Sequence, residues 1–522
     1  MDRQKVGDFA DGAVIDPDLE AAPTLAAHPA SPSIKREPIL KTSLEAALAQ
    51  ASPRIAPRPV TLASVLIHGG VLVLWLVLFA RAFFLHGVVA WSTGIAYVVY
   101  DTLLLTFVAA KSWTLVKPPK PLDRKQREHG LPVLGVIVAS HNEAAVLPNT
   151  LEKLLGQTHG AAQIVIADDG STDATAQLLT QRFGLVAPAE GELSAASTLH
   201  PNLFWLRVAH GGKARALNAA IGLISTPVVM TVDADTRLAD DAILAMRSAF
   251  ASRPNLVAAA GILVPVCSKT MSGRFFQWFQ TYEYIRNFIA RFAWMRADSL
   301  LLISGAFASF RRDALLAVGG FDPQCLVEDY ELIHRLRRHA VDHGLDWDVR
   351  VVGNAHAITD APSSFGGFMR QRRRWFAGFL QTQYWNRDMT GNRRYGALGL
   401  LMLPVKAFDT VQPIYGLTAF ALLLGFIVDR RGAIVLPIFS VIGAKILIDF
   451  AFHLWTVHLY RRWTGDRAGS SLWMAVVTAI VEPFTFQLLR HTGAALGWVD
   501  FLGGARTWGV QTRAGLAAAD EA

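Results

Sequence analysis

Val228-Val-Met-Thr-Val-Asp-Ala-Asp235 is the stretch that decides how the middle of this chain folds. Its apolar start suits a buried strand, and its end delivers Asp233 and Asp235, two residues apart. Side chains alternate along a strand, so both carboxylates point the same way. Two hard oxygen ligands on one side fit a divalent cation that also binds phosphate oxygens, although an isolated Asp-x-Asp also arises by chance. Working outward, Val133-Leu-Gly-Val-Ile-Val138 and Ile164-Val-Ile-Ala167 are short apolar runs of the same kind. They alternate with helical stretches from residue 131 to about 389, which predicts an α/β domain of parallel strands joined by helices.

Further polar clusters fall at the ends of these predicted elements. Ser140-His-Asn-Glu143 and Asp168-Asp-Gly-Ser-Thr-Asp173 each follow a strand, at the sheet edge where α/β folds bind ligands. Alone, Asp-Gly-Ser is equally an ordinary turn before a helix cap. Gly211-Gly-Lys-Ala-Arg-Ala-Leu-Asn218 sets a glycine pair before Lys213 and Arg215 at a helix start, an arrangement that suits a diphosphate. A basic helix start with no ligand reads the same. Glu328-Asp329 opens another predicted helix, as complements to its dipole or as a carboxylate base aimed at a hydroxyl. In Gln371-Arg-Arg-Arg-Trp375, helical spacing puts Gln371, Arg374 and Trp375 on one face. A cation beside an aromatic plate suits a leaving diphosphate and a sugar. A basic membrane-surface helix is the competing reading.

The remaining hydrophobicity is concentrated on both sides of this domain. Apolar residues make up 52% of the chain, and the mean hydropathy is +0.31, more than a soluble domain needs. Residues 62–80 carry no charge, and 87–110 carry only Asp101, so both are long enough to span a bilayer. Lys111, Lys117, Lys120, Arg124, Lys125 and Arg127 follow and place that side in the cytoplasm. Residues 413–428, 432–460 and 472–489 are three more candidate spans, and 396–410 is apolar but holds Lys406 and Asp409. The expectation is therefore five or six crossings. Asp101, Lys445, Asp449 and Glu482 fall inside them, either lining a watery path or paired with each other. The Ala- and Pro-rich residues 1–59 read as a disordered tail. A net charge of +8 suits an anionic membrane face, a phosphorylated ligand or nucleic acid without choosing between them. Two cysteines exclude a disulfide framework or a zinc cluster.

In this order the strings resemble the inverting nucleotide-sugar transferases of glycosyltransferase family two. The resemblance is to the processive branch that includes cellulose, hyaluronan, chitin-oligosaccharide and poly-N-acetylglucosamine synthases. It implies a GT-A-like α/β nucleotide-sugar-binding domain (130–390) inserted between transmembrane helices at 60–110 and 396–490, with a gating-like segment in 491–522. It further implies that Asn142, Glu143, Asp168, Asp169 and Lys213 hold the nucleotide. Asp233 and Asp235 would bind Mg²⁺ or Mn²⁺, with Asp233 also touching the donor. Ser304 and Gly305 match a Ser-Gly-Ala string beside the acceptor. Glu328 and Asp329 match the acid pair of a Thr-Glu-Asp motif in which Val327 replaces threonine, Asp329 being the base. Gln371, Arg374 and Trp375 match Gln-x-x-Arg-Trp, with Arg374 at the donor and the other two at the acceptor. Trp508 and Arg513 match a gating Trp-Gly-Thr-Arg with two residues inserted. Residues 275–294, including Gln280, Glu283 and Tyr284, resemble an interfacial helix.

The implied reaction moves a sugar from a UDP-sugar to a growing β-linked polysaccharide. It takes place at the cell inner membrane with the domain in the cytoplasm, alongside partner proteins for export and no nucleic acid. A non-processive transferase acting on a membrane lipid is the alternative.

Overall fold

The computed structural model describes residues 41–117, 130–465, 471–504 and 516. Its centre is one eight-stranded sheet with the order β3-β2-β1-β4-β7-β6-β8-β5. β1 (Leu134–Ser140), β2 (Gln163–Asp169), β3 (Leu203–Val208) and β4 (Val228–Asp233) form the parallel half that the apolar runs predict. Val136, Ile137, Val138, Ile164, Val165 and Val229 have no exposed surface, as expected of strands covered by helices on both faces.

The second half departs from the parallel expectation. β7 (Phe307–Arg311) runs antiparallel to β4 and to β6 (Leu256–Val266), and β6 is parallel to β8 (Asp348–Asp360). The short β5 (Thr236–Leu238) closes the sheet antiparallel to β8. This reversal has a positional effect: the carboxyl end of β4 meets the amino end of β7. Asp233 N–H donates to the Ala306 carbonyl at 3.2 Å, and Thr231 Oγ1 donates to the Gly305 carbonyl at 3.1 Å. The Ser304-Gly305 string is thereby set beside Asp233 and Asp235.

Four helices are long and apolar enough to cross a membrane: Leu62–Phe84, Gly87–Val116, Leu398–Val428 and Gly432–Thr464. A fifth candidate, Leu472–Phe484 with Phe486–Leu502, is bent by 48° at its break. Among the described residues the tally is therefore four, or five with the bent pair. It falls short of the upper expectation because residues 396–410 and 413–428 fuse into one helix. Within that helix Lys406 pairs with Asp409 at 2.7 Å, and the Tyr100 hydroxyl donates to Asp409. The other charges in the spans are also paired: Lys445 lies 2.6 Å from Asp101 and also bridges Asp449, while Glu482 takes both ends of the Arg286 guanidinium. Exposed Leu66, Leu72, Leu76, Leu436 and Leu447 give the helices the apolar outer surface that lipid requires.

The expectation of a disordered tail through residue 59 fails from residue 41 onward. Helix Lys41–Ala51 buries Leu44 and Leu48, with Leu48 against the backbone of Gly319. Arg54 then forks onto Asp322 at 2.9 and 3.0 Å, and Arg58 onto Asp342. Two buried leucines and two bidentate guanidinium–carboxylate pairs supply the anchoring that composition alone did not reveal. Residues 1–40 lie outside the described residues.

Candidate active site

A cavity of about 410 Å³ opens at the carboxyl ends of the central strands. Lys213, Asp233, Asp235, Ser304, Glu328, Asp329, Gln371, Arg374 and Trp375, all singled out in the sequence, line it together. β4 ends at Asp233, which is half-buried, and the turn that follows carries Asp235, buried, to the wall of the same cavity. Lys213 opens helix Lys213–Leu223 and reaches Asp233 at 2.5 Å and Glu328 at 3.7 Å. Burial opposes its charge, and Asp233 and Glu328 overcome this, holding the ammonium above the usual lysine range.

Glu328 and Asp329 begin helix Glu328–His343 with different surroundings. Burial pushes Glu328 up to about 7, with Lys213 acting against the shift and Asp329 adding to it. Asp329 is pinned through both oxygens, Oδ2 accepting from Gly305 N–H at 2.7 Å and Oδ1 from Tyr330 N–H at 2.8 Å. A Cβ on Gly305 would lie 3.0 Å from the Asp329 Cβ and 3.1 Å from Oδ2, so the string needs glycine there for close approach. The carboxylate is thus held at the cavity wall with one orientation, which a base acting on a hydroxyl needs.

Helix Phe365–Trp385 supplies Gln371, Arg374 and Trp375, and the first arginine of that run, Arg372, is a residue that helical spacing had passed over. Arg372 forks onto Glu283 of helix Met271–Arg296 at 2.8 and 2.7 Å, both side chains buried. Its guanidinium lies 4.7 Å from the Trp375 ring centroid and 4.6 Å from that of Phe368. The aromatic plate is therefore backed by a buried ion pair. No local sequence signal leads to this pair, because its partners are 89 residues apart.

The nucleotide end differs from expectation. Asn142, Glu143, Asp168 and Asp169 are not among the residues that line the cavity; the Asp168 Oδ1 accepts from Ser171 N–H at 2.9 Å and its Oδ2 from Trp205 Nε1–H at 3.2 Å. Asp169, one residue on and on the opposite face, accepts from Gly211 and Gly212 N–H at 2.8 and 2.9 Å and so shapes the glycine loop before Lys213. Asn142, in left-handed backbone, accepts from Thr172 and Asp173 N–H through its side-chain Oδ1 and joins the two loops. Glu143 is half-buried beside it. His210, missed in the sequence, stacks on His141 with ring centroids 4.3 Å apart and lies 3.0 Å from Asp169. His141, Asp169 and His210 form a set that could hold a metal ion, in addition to Asp233 and Asp235. Trp508 and Arg513 lie outside the described residues. Leu516, just beyond them, donates its N–H to Asp360 at 3.2 Å, and Asp360 lines the cavity.

Two family models match this chain. Glycosyl transferase family 2 covers residues 135–319, and glycosyl transferase family group 2 covers 228–480. A poly-beta-1,6-N-acetyl-D-glucosamine synthase of Staphylococcus epidermidis is 27% identical over 302 residues, covering 57% of this chain and 67% of that protein. One from Staphylococcus aureus (strain COL) is 28% identical over 244 residues, covering 46% and 53%. The chain thus spans about half to two thirds of the relatives it matches. Among solved structures, a mannosyltransferase from Pyrobaculum calidifontis in complex with GDP-Man and Mn²⁺ aligns at a TM-score of 0.49 and 19% identity, over 76% of this chain and 99% of that one.

Proposed function

Since the chain belongs to glycosyl transferase family 2, we propose that it transfers a sugar from a UDP-sugar, with inversion, onto a growing β-linked polysaccharide and couples the chain's growth to export. One observation carries this reading: a single cavity joins a cation-and-carboxylate end to a pinned carboxylate and an aromatic plate. The names of the relatives, poly-beta-1,6-N-acetyl-D-glucosamine synthases, favour N-acetylglucosamine as the transferred unit.

In this mechanism Lys213 and Arg374 hold the diphosphate of the donor. Asp233 and Asp235 present two carboxylates on one side of the cavity, a donor set that fits Mg²⁺ or Mn²⁺. A cation bound there would neutralise charge developing on the leaving diphosphate. Asp329 takes the proton from the acceptor hydroxyl as its oxygen attacks the anomeric carbon. The bond from that carbon to the diphosphate breaks on the opposite face, so one displacement turns an α-linked donor into a β-linked product. Ser304, Gln371 and Trp375 position the acceptor, and repeated transfer without release makes the process processive. The four apolar helices, with Lys111 and Lys117 at the domain side of the second, support a multi-pass inner-membrane protein with its domain in the cytoplasm. Partner proteins for export fit this arrangement.

The test is a panel of labelled nucleotide sugars offered to the protein in lipid nanodiscs. Wild type should polymerise one UDP-sugar, lose activity in chelator and regain it with Mg²⁺ or Mn²⁺. Asp329→Asn should bind the same donor with unchanged affinity and transfer nothing. Polymer at wild-type rate from Asp329→Asn, or full activity in excess chelator, would defeat the assignment concerned.

A further inference from the structure

The cavity contains a cation for which the reaction above has no use. Arg291 lies on helix Met271–Arg296 and faces the cavity with Tyr284, Asn287, Phe288 and Trp294. Those positions recur every three or four residues and so share one helix face. The other buried arginines near this helix are matched, Arg286 by Glu482 and Arg372 by Glu283. Arg291 is different: its Nε and Nη1 are buried and make no hydrogen bond, and its guanidinium lies 4.8 Å from the Phe288 ring centroid. Burial draws it down to about 10, against the pull of Tyr284 and Asp329, which still leaves a cation at neutral pH. Buried charged donors without partners are costly and uncommon, and a site that keeps them has acceptors to receive from a ligand.

The neighbouring charges indicate which ligand. Lys213 interacts with Asp233 and Glu328, at the end where the donor's diphosphate belongs. Arg291 lines the cavity together with Asp329, Gln371 and Trp375, and Tyr284 and Asp329 are the groups whose charge acts on it. Arg291 therefore flanks the base, on the side where the acceptor must present its hydroxyl. We propose that Arg291 is an acceptor subsite, donating Nε–H and Nη1–H to oxygen atoms of the saccharide beside the attacking hydroxyl, and that it excludes a protonated amino sugar from that position. Hydroxyl and acetamido oxygens offer lone pairs to the guanidinium, whereas an ammonium group offers only donors and a like charge. The proposal rests on the glycosyl transfer proposed above.

The experiment uses the full chain in nanodiscs at saturating donor, with oligosaccharide acceptors in N-acetylated and de-N-acetylated forms. Wild type should elongate the N-acetylated acceptor in preference. Arg291→Met should raise the acceptor KM by about tenfold or more, the worth of a hydrogen bond to a charged group. The donor KM should not move, and discrimination between the two acceptors should narrow. Arg291→Lys retains the charge but lacks Nε and the planar fork, so its acceptor KM should rise while the amino sugar stays excluded. Folded yield and donor binding are measured on both variants, and Arg291→Lys decides the matter if Arg291→Met does not fold. An unchanged acceptor KM in a folded variant, or acceptor and donor KM rising in step, overturns the subsite. A wild-type protein inert toward every nucleotide sugar would instead overturn the underlying reaction.

Discussion

Glu328 sits against Lys213 and loses water, while Asp329, the next residue, faces the cavity with both oxygens held. The difference has a pH signature. In the unfolded chain the Glu328 carboxyl releases its proton near the ordinary 4.5, and in the folded protein burial delays release to about 7. Between these values the folded state binds the extra proton, so this contribution to stability is full below about 4.5 and is lost as pH rises through about 7. Thermal unfolding of metal-free protein should show wild type losing stability from pH 4.5 to 7 relative to Glu328→Gln. Parallel curves for the two proteins would refute the assignment. At this scale the sequence brought Asp233, Asp235, Glu328 and Asp329 to one cavity better than it showed where each acid points. Adjacent residues on a strand face opposite ways, so Asp168 and Asp169 turn to different partners, and alternation was the unused signal. Asp233 and Asp235 do line one cavity, although the strand ends at Asp233 and a turn carries Asp235.

The helix Phe365–Trp385 shows what spacing can and cannot reveal about an element. Its cavity face, with Gln371, Arg374 and Trp375, follows from three- and four-residue spacing. Its other face rests on helix Phe486–Leu502, where Gly493 and Gly497 permit close approach: a Cβ on Gly493 would lie 2.7 Å from the Arg372 Cβ. Those contacts join segments more than a hundred residues apart and leave no local trace. Arg372 connects the two faces, because it pairs with Glu283 while stacking on Trp375. Removing one member of a buried ion pair typically costs about 3–5 kcal/mol, since the other is left as an unmatched charge. Glu283→Gln should therefore lower the unfolding temperature and shorten the product, with donor KM unchanged. Adding Arg372→Met should recover part of the stability, because Arg490, which also bridges Glu283 at 3.5 Å, keeps Glu482 at 3.8 Å, but not product length, because Trp375 keeps no backing cation. Product gels and melting curves on the two variants check this, and full-length polymer from folded Glu283→Gln would rule out the backing role.

Over the whole molecule, the parallel strands were legible because their apolar runs are continuous, and the reversal at β7 was not, because strand direction depends on what a strand pairs with. The anchored segment at residues 41–58 was missed for a related reason: its partners, Asp322 and Asp342, lie in the distant domain. That anchoring also sets a parity rule. Arg54 and Arg58 touch the domain before the first span, so the chain must return to the domain's face after an even number of crossings. Trp463 packs against Gly353 at the far end of the last long span, so if each of the four long helices crosses, the chain has returned again. Ser471 then accepts a hydrogen bond from Tyr282, Asp500 pairs with Arg373, and Leu516 meets Asp360, so the bent pair begins and ends on that same face. Its first helix, Leu472–Val481, has 10 residues and rises about 15 Å, half the thickness of a hydrocarbon core. The expected path is a dip into the bilayer and back, which the following labelling tests. Single cysteines at positions 58 and 504 should react with an impermeant thiol reagent from one face, and those at 86 and 430 from the other. Labelling of 58 and 504 from opposite faces would break the rule. If the rule holds, this chain enters and leaves the bilayer like a closed seam, with every stitch begun and finished on the side where the sugar donor arrives.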